Sequence, residues 1–182
     1  MAEKTNHNWI KTGEGGWVAQ LLDGCMATQG KILAEFSEKD RKAGYGFACN
    51  FIVDGPGGGS FFLWFCESGL QPKPEDVPLR NVVYVKEDDL LDIVTPNLDD
   101  FGGVSGFMRI AEEQGAEAVI QKLQPRLHPR KAFANDKILI EGDKPDIDAE
   151  MWAKVFDKVL YEMAFPIVVR GLVNQATAQR RK

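Results

Sequence analysis

Residues 127–143 read "LHPRKAFANDKILIEGD". Pro129 presets the backbone angle of a first helical residue, so a short helix starts there, with His128 as the loop or cap residue before it. Asn135 and Asp136 end that helix, and Asn135 tolerates the left-handed angles of a tight turn. From Lys137 the pattern changes to alternation. Ile138 and Ile140 share one strand face, while Lys137, Leu139 and Glu141 take the other. Gly142 and Asp143 make the next turn. A helix-turn-strand unit of this kind contains no base set against a nucleophile, so its purpose is architectural.

Working outward, residues 148–163 carry Trp152, Val155, Phe156, Val159, Leu160 and Met163 at spacings of three and four, an amphipathic helix. Asp146 or Asp148 caps it, and Pro166 kinks or interrupts it. Upstream, "NVVYV" is a strand and "KEDDLLDIV" opens a helix. Glu87, Asp88 and Asp89 fall in its first turn, where carboxylates favour the helix dipole; this explains the acidic cluster without a metal. Pro96 stops the helix. A glycine-rich break and one helix, "MRIAEEQGAEAVIQKL", follow. "QPKPEDVPLR" reads as a proline-rich loop. In the N-terminal half, residues 1–15 form a polar arm. Residues 16–36 suggest an amphipathic helix that Gly24 and Gly30 weaken, either whole or broken in two.

"GYGFACNFIVDGPGGGSFFLWFCESG" reads as two strands around a turn. "DGPGGGS" resembles a phosphate loop in composition, but no Gly-Lys-Ser/Thr and no helix follow it, so it is the hairpin connection. Phe47, Cys49, Phe51 and Val53 share one face of the first strand. Phe61, Leu63 and Phe65 share one face of the second, and Phe62, Trp64 and Cys66 the other. Apolar side chains on both faces mean that neither face is simply wet. The remaining apolar surface needs an inserted helix, a second protein or a lipid chain to cover it.

The chain has 182 residues, 27% charged and 44% hydrophobic, with a net charge of −5. That suits one soluble domain with a real core, and argues against a dedicated nucleic-acid binder, which carries a basic face. Cys25, Cys49 and Cys66 are widely spaced and form no zinc or disulfide pattern. Each reads as a small buried hydrophobe in a reducing compartment. No apolar signal core opens the sequence, and no stretch reaches the roughly 18 apolar residues of a membrane span. A cytoplasmic location is the expectation.

The order strand, acidic helix, "LHPRKAF", "KILIEGD" and closing helix resembles the sterol carrier protein type 2 family. The matching positions are Asp89, Leu90, Leu127, Pro129, Ala132, Phe133, Lys137, Ile138, Ile140, Gly142 and Asp143. The similarity spans residues 17–165 and is specific over 82–95 and 127–160. It implies an α+β fold: a mainly antiparallel curved sheet of about four to five strands covered by helices on one face. Three features depart from the family pattern. Asn135–Asp136 replaces a glycine, Lys86 stands where a Ser or Thr cap is common, and residues 97–126 form a long insertion. Residues 16–165 are then the lipid-binding domain and 166–182 a C-terminal helical extension.

The resemblance implies non-catalytic binding or transfer of a hydrophobic small molecule, of the fatty acyl, acyl-CoA, sterol or isoprenoid class. It places the ligand in an apolar tunnel between sheet and helices. Phe51, Phe61, Leu63, Phe65, Leu90, Phe133, Ile138, Ile140, Trp152 and Phe156 are the residues assigned to that tunnel. Taken singly, each aromatic among them also reads as plain core. No cofactor and no metal are expected. Residues 148–182 hold four acids and six bases, and Arg170, Arg180, Arg181 and Lys182 offer contacts to an anionic headgroup or membrane surface. The alternative is an accessory or scaffold subunit for enzymes of hydrophobic substrates, docking through apolar stripes on 107–123 or 163–173. An enzyme is the weakest reading, because His7 and His128 have no partnered nucleophile.

Overall fold

A computed structural model describes residues 16–32, 47–66, 69–155 and 165–180. The expected arm, 1–15, and Phe156 lie outside them. The hairpin is as expected. β1 (Phe47–Asp54) and β2 (Gly59–Cys66) are antiparallel, with Phe51 opposite Phe61 and Cys49 opposite Leu63. At the turn, a side chain on Gly58 would run into the Val53 backbone carbonyl, so the connection requires a residue without one. β3 (Gly69–Pro72) extends the sheet beyond β2 and takes Gln71 and Pro72 out of the expected loop. A proline is tolerated there because β3 is an edge strand.

β4 (Asn81–Lys86) lies parallel to β1 on its other side, and β5 (Ile138–Gly142) closes that edge antiparallel to β4. The order is β3-β2-β1-β4-β5, a five-stranded, mainly antiparallel sheet in an α+β fold. The single parallel pairing follows from the chain reaching β4 only after β2 and β3 have been added on the far side.

Register sorts the side chains into two faces. Cys49, Phe51, Val53, Phe61, Leu63, Phe65, Val83, Val85 and Ile138 are buried on the inner face. α1 (Trp17–Ile32) contributes Val18, Leu21, Leu22 and Cys25 to the same cluster. Gly24 and Gly30 do not divide this helix. α2 (Glu87–Val94) adds Leu90, Ile93 and Val94. Its N-cap, Lys86, makes no side-chain capping bond, as the missing Ser or Thr foretold. After the insertion, α5 (Pro129–Ala134) and α6 (Pro145–Val155) bring Ala132 and Trp152 to that cluster.

The insertion contains two helices where one was expected: α3 (Gly103–Gln114) and α4 (Ala116–Ile120). Gly115, with φ of 88°, separates them. Backbone bonds clamp the base of the insertion, from Asn97 N to Gln124 O (2.8 Å) and from Arg126 N to Thr95 O (3.0 Å). The last described helix is α7 (Phe165–Arg180), which contains Pro166. Phe107, Met108, Val119, Leu123, Phe165 and Val169 form a second apolar cluster. The insertion and the extension therefore cover each other, and none of the described residues 97–126 belongs to the cluster on the sheet.

Candidate functional site

The "LHPRKAF" segment performs the architectural task its sequence implies. His128 caps α5, its Nδ1 accepting a hydrogen bond from Arg130 N at 3.3 Å, and Pro129 is the first helical residue. The left-handed position of the following turn is Asp136, with φ of 55°, and not Asn135, whose φ is −106°. Lys137 begins the run into β5 and donates to Asp89 Oδ1 at 2.6 Å, which binds β5 to the first turn of α2. That hydrogen bond raises the Lys137 ammonium above its ordinary range.

Of the ten residues assigned to a tunnel, nine are described, and all nine belong to or pack against the one inner-face cluster. Phe51, Phe61, Leu63, Phe65, Leu90, Ile138 and Trp152 are buried. Phe133 and Ile140 sit half-buried at its margin. The tunnel assignment thus brings together side chains that do meet. Their packing is tight: Phe51 keeps 1% of its surface accessible and Leu90 none. A channel wide enough for an acyl chain would admit a water-sized sphere and leave such walls measurably exposed. In this conformation these seven buried side chains are closed off from solvent.

One polar group interrupts that face. Asn81, at the start of β4, is buried, and its Oδ1 accepts from Trp152 Nε1 at 2.8 Å. The indole can only donate, which fixes the amide so that Nδ2 points elsewhere. Nδ2 is buried with no hydrogen-bond partner among the described residues. Beside it, Arg80 Nε pairs with Asp148 Oδ1 at 2.8 Å, and Asp148 is 1% exposed. Asp148 is therefore an ion-pair anchor from α6 to Arg80, the residue just before β4, where sequence offered it as a cap. Sequence reasoning missed Asn81; a lone Asn in the apolar run "NVVYV" was the available signal.

Glu87 also does more than complement a helix dipole. Its Oε1 accepts from the indole of Trp17 and from Gly57 N at 3.0 Å. One carboxylate joins α1, the β1–β2 turn and α2.

A hollow of about 560 Å3 opens on the outer face of the sheet. Its floor is the cross-strand row Ile52, Tyr84 and Leu139, consecutive partners in the β1, β4 and β5 ladders. Asp54 and Lys86, also register partners, stand at one end, with Asp89, Asp136 and Lys137 beside them and Glu141 along one side. None of the three floor residues belongs to either apolar cluster.

No group of three or more His, Cys, Asp or Glu suited to a metal occurs among the described residues. No described helix is long and apolar enough to cross a membrane. Burial pushes the Cys25 thiol up to about 12 and the Cys49 thiol well above its ordinary value, which makes both poor nucleophiles. Arg170, offered for an anionic headgroup, donates to Glu117 at 2.7 Å and 3.2 Å.

No family model matches the sequence, and no curated protein matches it. Two solved structures share a likeness with the chain. One is described as "UbiJ-SCP2 Ubiquinone synthesis protein", at 11% identity and a TM-score of 0.42, covering 78% of this chain and 98% of its own. The other is the sterol carrier protein domain 2 of Helicoverpa armigera, at 16% identity and a TM-score of 0.36, covering 82% of this chain and 85% of its own. Both descriptions name the sterol carrier type of domain that the sequence resembles.

Proposed function

We propose that this chain binds a hydrophobic small molecule without covalent chemistry, on the inner face of the sheet. The molecule enters when α6 swings away. The observation that carries this reading is the orphaned Asn81 amide on an otherwise apolar surface, directly beneath Trp152 of that helix. A buried donor left unmade costs about 1–3 kcal/mol. A ligand with an apolar body and one oxygen acceptor would satisfy Nδ2 and replace the side-chain packing that opening α6 disrupts. Fatty acyl, acyl-CoA, sterol and isoprenoid molecules bearing such an oxygen all fit the description. The ten tunnel residues, Phe156 included, are proposed as the walls of the opened state.

The test is uptake of a fluorescent fatty acid by the wild type and by Asn81→Leu. The variant removes the orphan donor but strands the Trp152 indole, so its stability should change little. Affinity should fall about tenfold, the worth of one hydrogen bond to a buried donor. Equal uptake by the two proteins would remove the assignment. Phe156→Glu provides a second check, since a folded variant that still takes up the probe at wild-type strength excludes the closing segment from the site.

A second reading, an accessory subunit for an enzyme of hydrophobic substrates, is favoured by how little surface of the seven buried wall residues is accessible. Native mass spectrometry of protein from its source separates the two. A retained lipid mass supports the carrier, and a stoichiometric partner chain without lipid supports the accessory subunit.

A further inference from the structure

The hollow on the outer face lies on the opposite side of the sheet from the proposed ligand surface, and it has its own chemistry. We propose that it binds a small amphiphilic organic cation: an amine or quaternary ammonium on an apolar body. Its volume of about 560 Å3 suits a small organic ligand. Ile52, Tyr84 and Leu139 form a continuous apolar strip three strands wide, because the ladder places them directly opposite one another. Leu139 is 50% exposed, which is unusual for a large aliphatic side chain on a strand.

The rim decides the sign of the ligand's charge. Four carboxylates line the hollow, those of Asp54, Asp89, Asp136 and Glu141, against two ammonium groups, Lys86 and Lys137. Asp89 and Lys137 neutralise each other at 2.6 Å. Among the described residues, neither Asp54 nor Asp136 has an ion-pair partner, and Asp54 and Lys86 face each other in the ladder without forming one. Glu141 Oε2 accepts from the Tyr84 hydroxyl at a long 3.4 Å and has no ion-pair partner among the described residues. The hollow therefore has an uncompensated negative balance over an apolar floor whose aromatic ring attracts cations on its face. An anionic amphiphile meets the reverse: the same floor, but three unneutralised carboxylates against Lys86.

The probes are n-octylammonium, n-octanol and n-octanoate, each titrated into the full chain below its aggregation threshold. Backbone amide shifts report where each binds. Octylammonium should bind most tightly, with the largest shifts at residues 52, 84 and 139. Its affinity should fall when salt is raised from about 0.02 M to about 0.5 M, since exposed charges are screened. The Asp54→Asn, Asp136→Asn pair should weaken octylammonium about fivefold and leave octanol unchanged; both sites are at the surface, so folding should be retained. Tyr84→Ala should weaken octylammonium and octanol alike; if that variant proves unstable, Leu139→Ser removes part of the same floor from an exposed position and should do the same. Octanoate shifting residues 52, 84 and 139 as tightly as octylammonium does, octylammonium shifts confined to the inner face, or no binding of octylammonium at all would each overturn the assignment. Because Asn81 and Trp152 are buried on the other face, Asn81→Leu should leave octylammonium binding intact. The two sites therefore stand or fall separately.

Discussion

Cys25 and Cys49 are residues whose placement turns directly into a pH dependence. Burial pushes the Cys25 thiol from 9.0 to about 12, and it pushes the Cys49 thiol well above 9.0, against a smaller opposing contribution from the Leu63 backbone. In the unfolded chain both ionise near 9.0, while in the folded chain they stay protonated. The unfolded state therefore holds fewer protons above that pH. Stability is full below it and falls as pH rises towards 12, by up to about 1.4 kcal/mol per pH unit per thiol. Denaturant unfolding at about pH 8 and about pH 10 should show the loss, and Cys25→Ala should reduce the slope. The Asp89 pairing of Lys137 is lost in the same direction, but only above 10.5, so the lower window reports the thiols. An unchanged slope in the variant would mean Cys25 is reached by water. The cysteines' burial was legible because each stands in an apolar run. Asn81 was not: nothing in "NVVYV" tells that its amide sits over an indole 71 positions away.

At the scale of elements, Glu87 is the joint between α1, the hairpin turn and α2. Glu87→Ala leaves the Trp17 indole and the Gly57 amide without their acceptor. The site is half-buried, so the loss should be about 1–3 kcal/mol by chemical denaturation, with hydrogen exchange quickening along the first turns of α1. Glu87→Gln keeps a neutral acceptor and should recover about half of the loss. A cost below about 0.5 kcal/mol would place Glu87 among ordinary surface residues. Sequence explained this residue through the helix dipole, because its two partners lie 70 and 30 positions away. Local signals served better where one residue decides. Pro129 started α5 and Pro96 ended α2, whereas Gly115 split a helix that apolar periodicity had joined. β3 escaped notice because it is so short an edge strand, ending on Pro72 with Pro74 just beyond, that propensity favours a loop.

Across the whole molecule, the chain builds two apolar clusters. The sheet core was readable from alternation and from the resemblance, since Phe51, Phe61, Leu63, Ile138 and Trp152 all reach it. The second cluster was not, because each of its halves looked like a stripe awaiting a foreign partner. Residues 107–123 and 165–173 instead complete each other. Val169 lies at their contact and is fully buried. Val169→Asp would place a carboxylate there with no cation provided, at a cost of several kcal/mol. That is comparable to what a cluster of this size can supply, whereas the sheet core draws on helices from four other segments. The variant should therefore lose hydrogen-exchange protection over α3, α4 and α7 while β1 and β4 stay protected. Its denaturation should separate into two transitions, and a dye that binds exposed apolar surface should bind it under native conditions. If both clusters melt together in Val169→Asp, the sheet depends on the decoration around it. The insertion would then be part of the fold's foundation and not a second unit carried upon it.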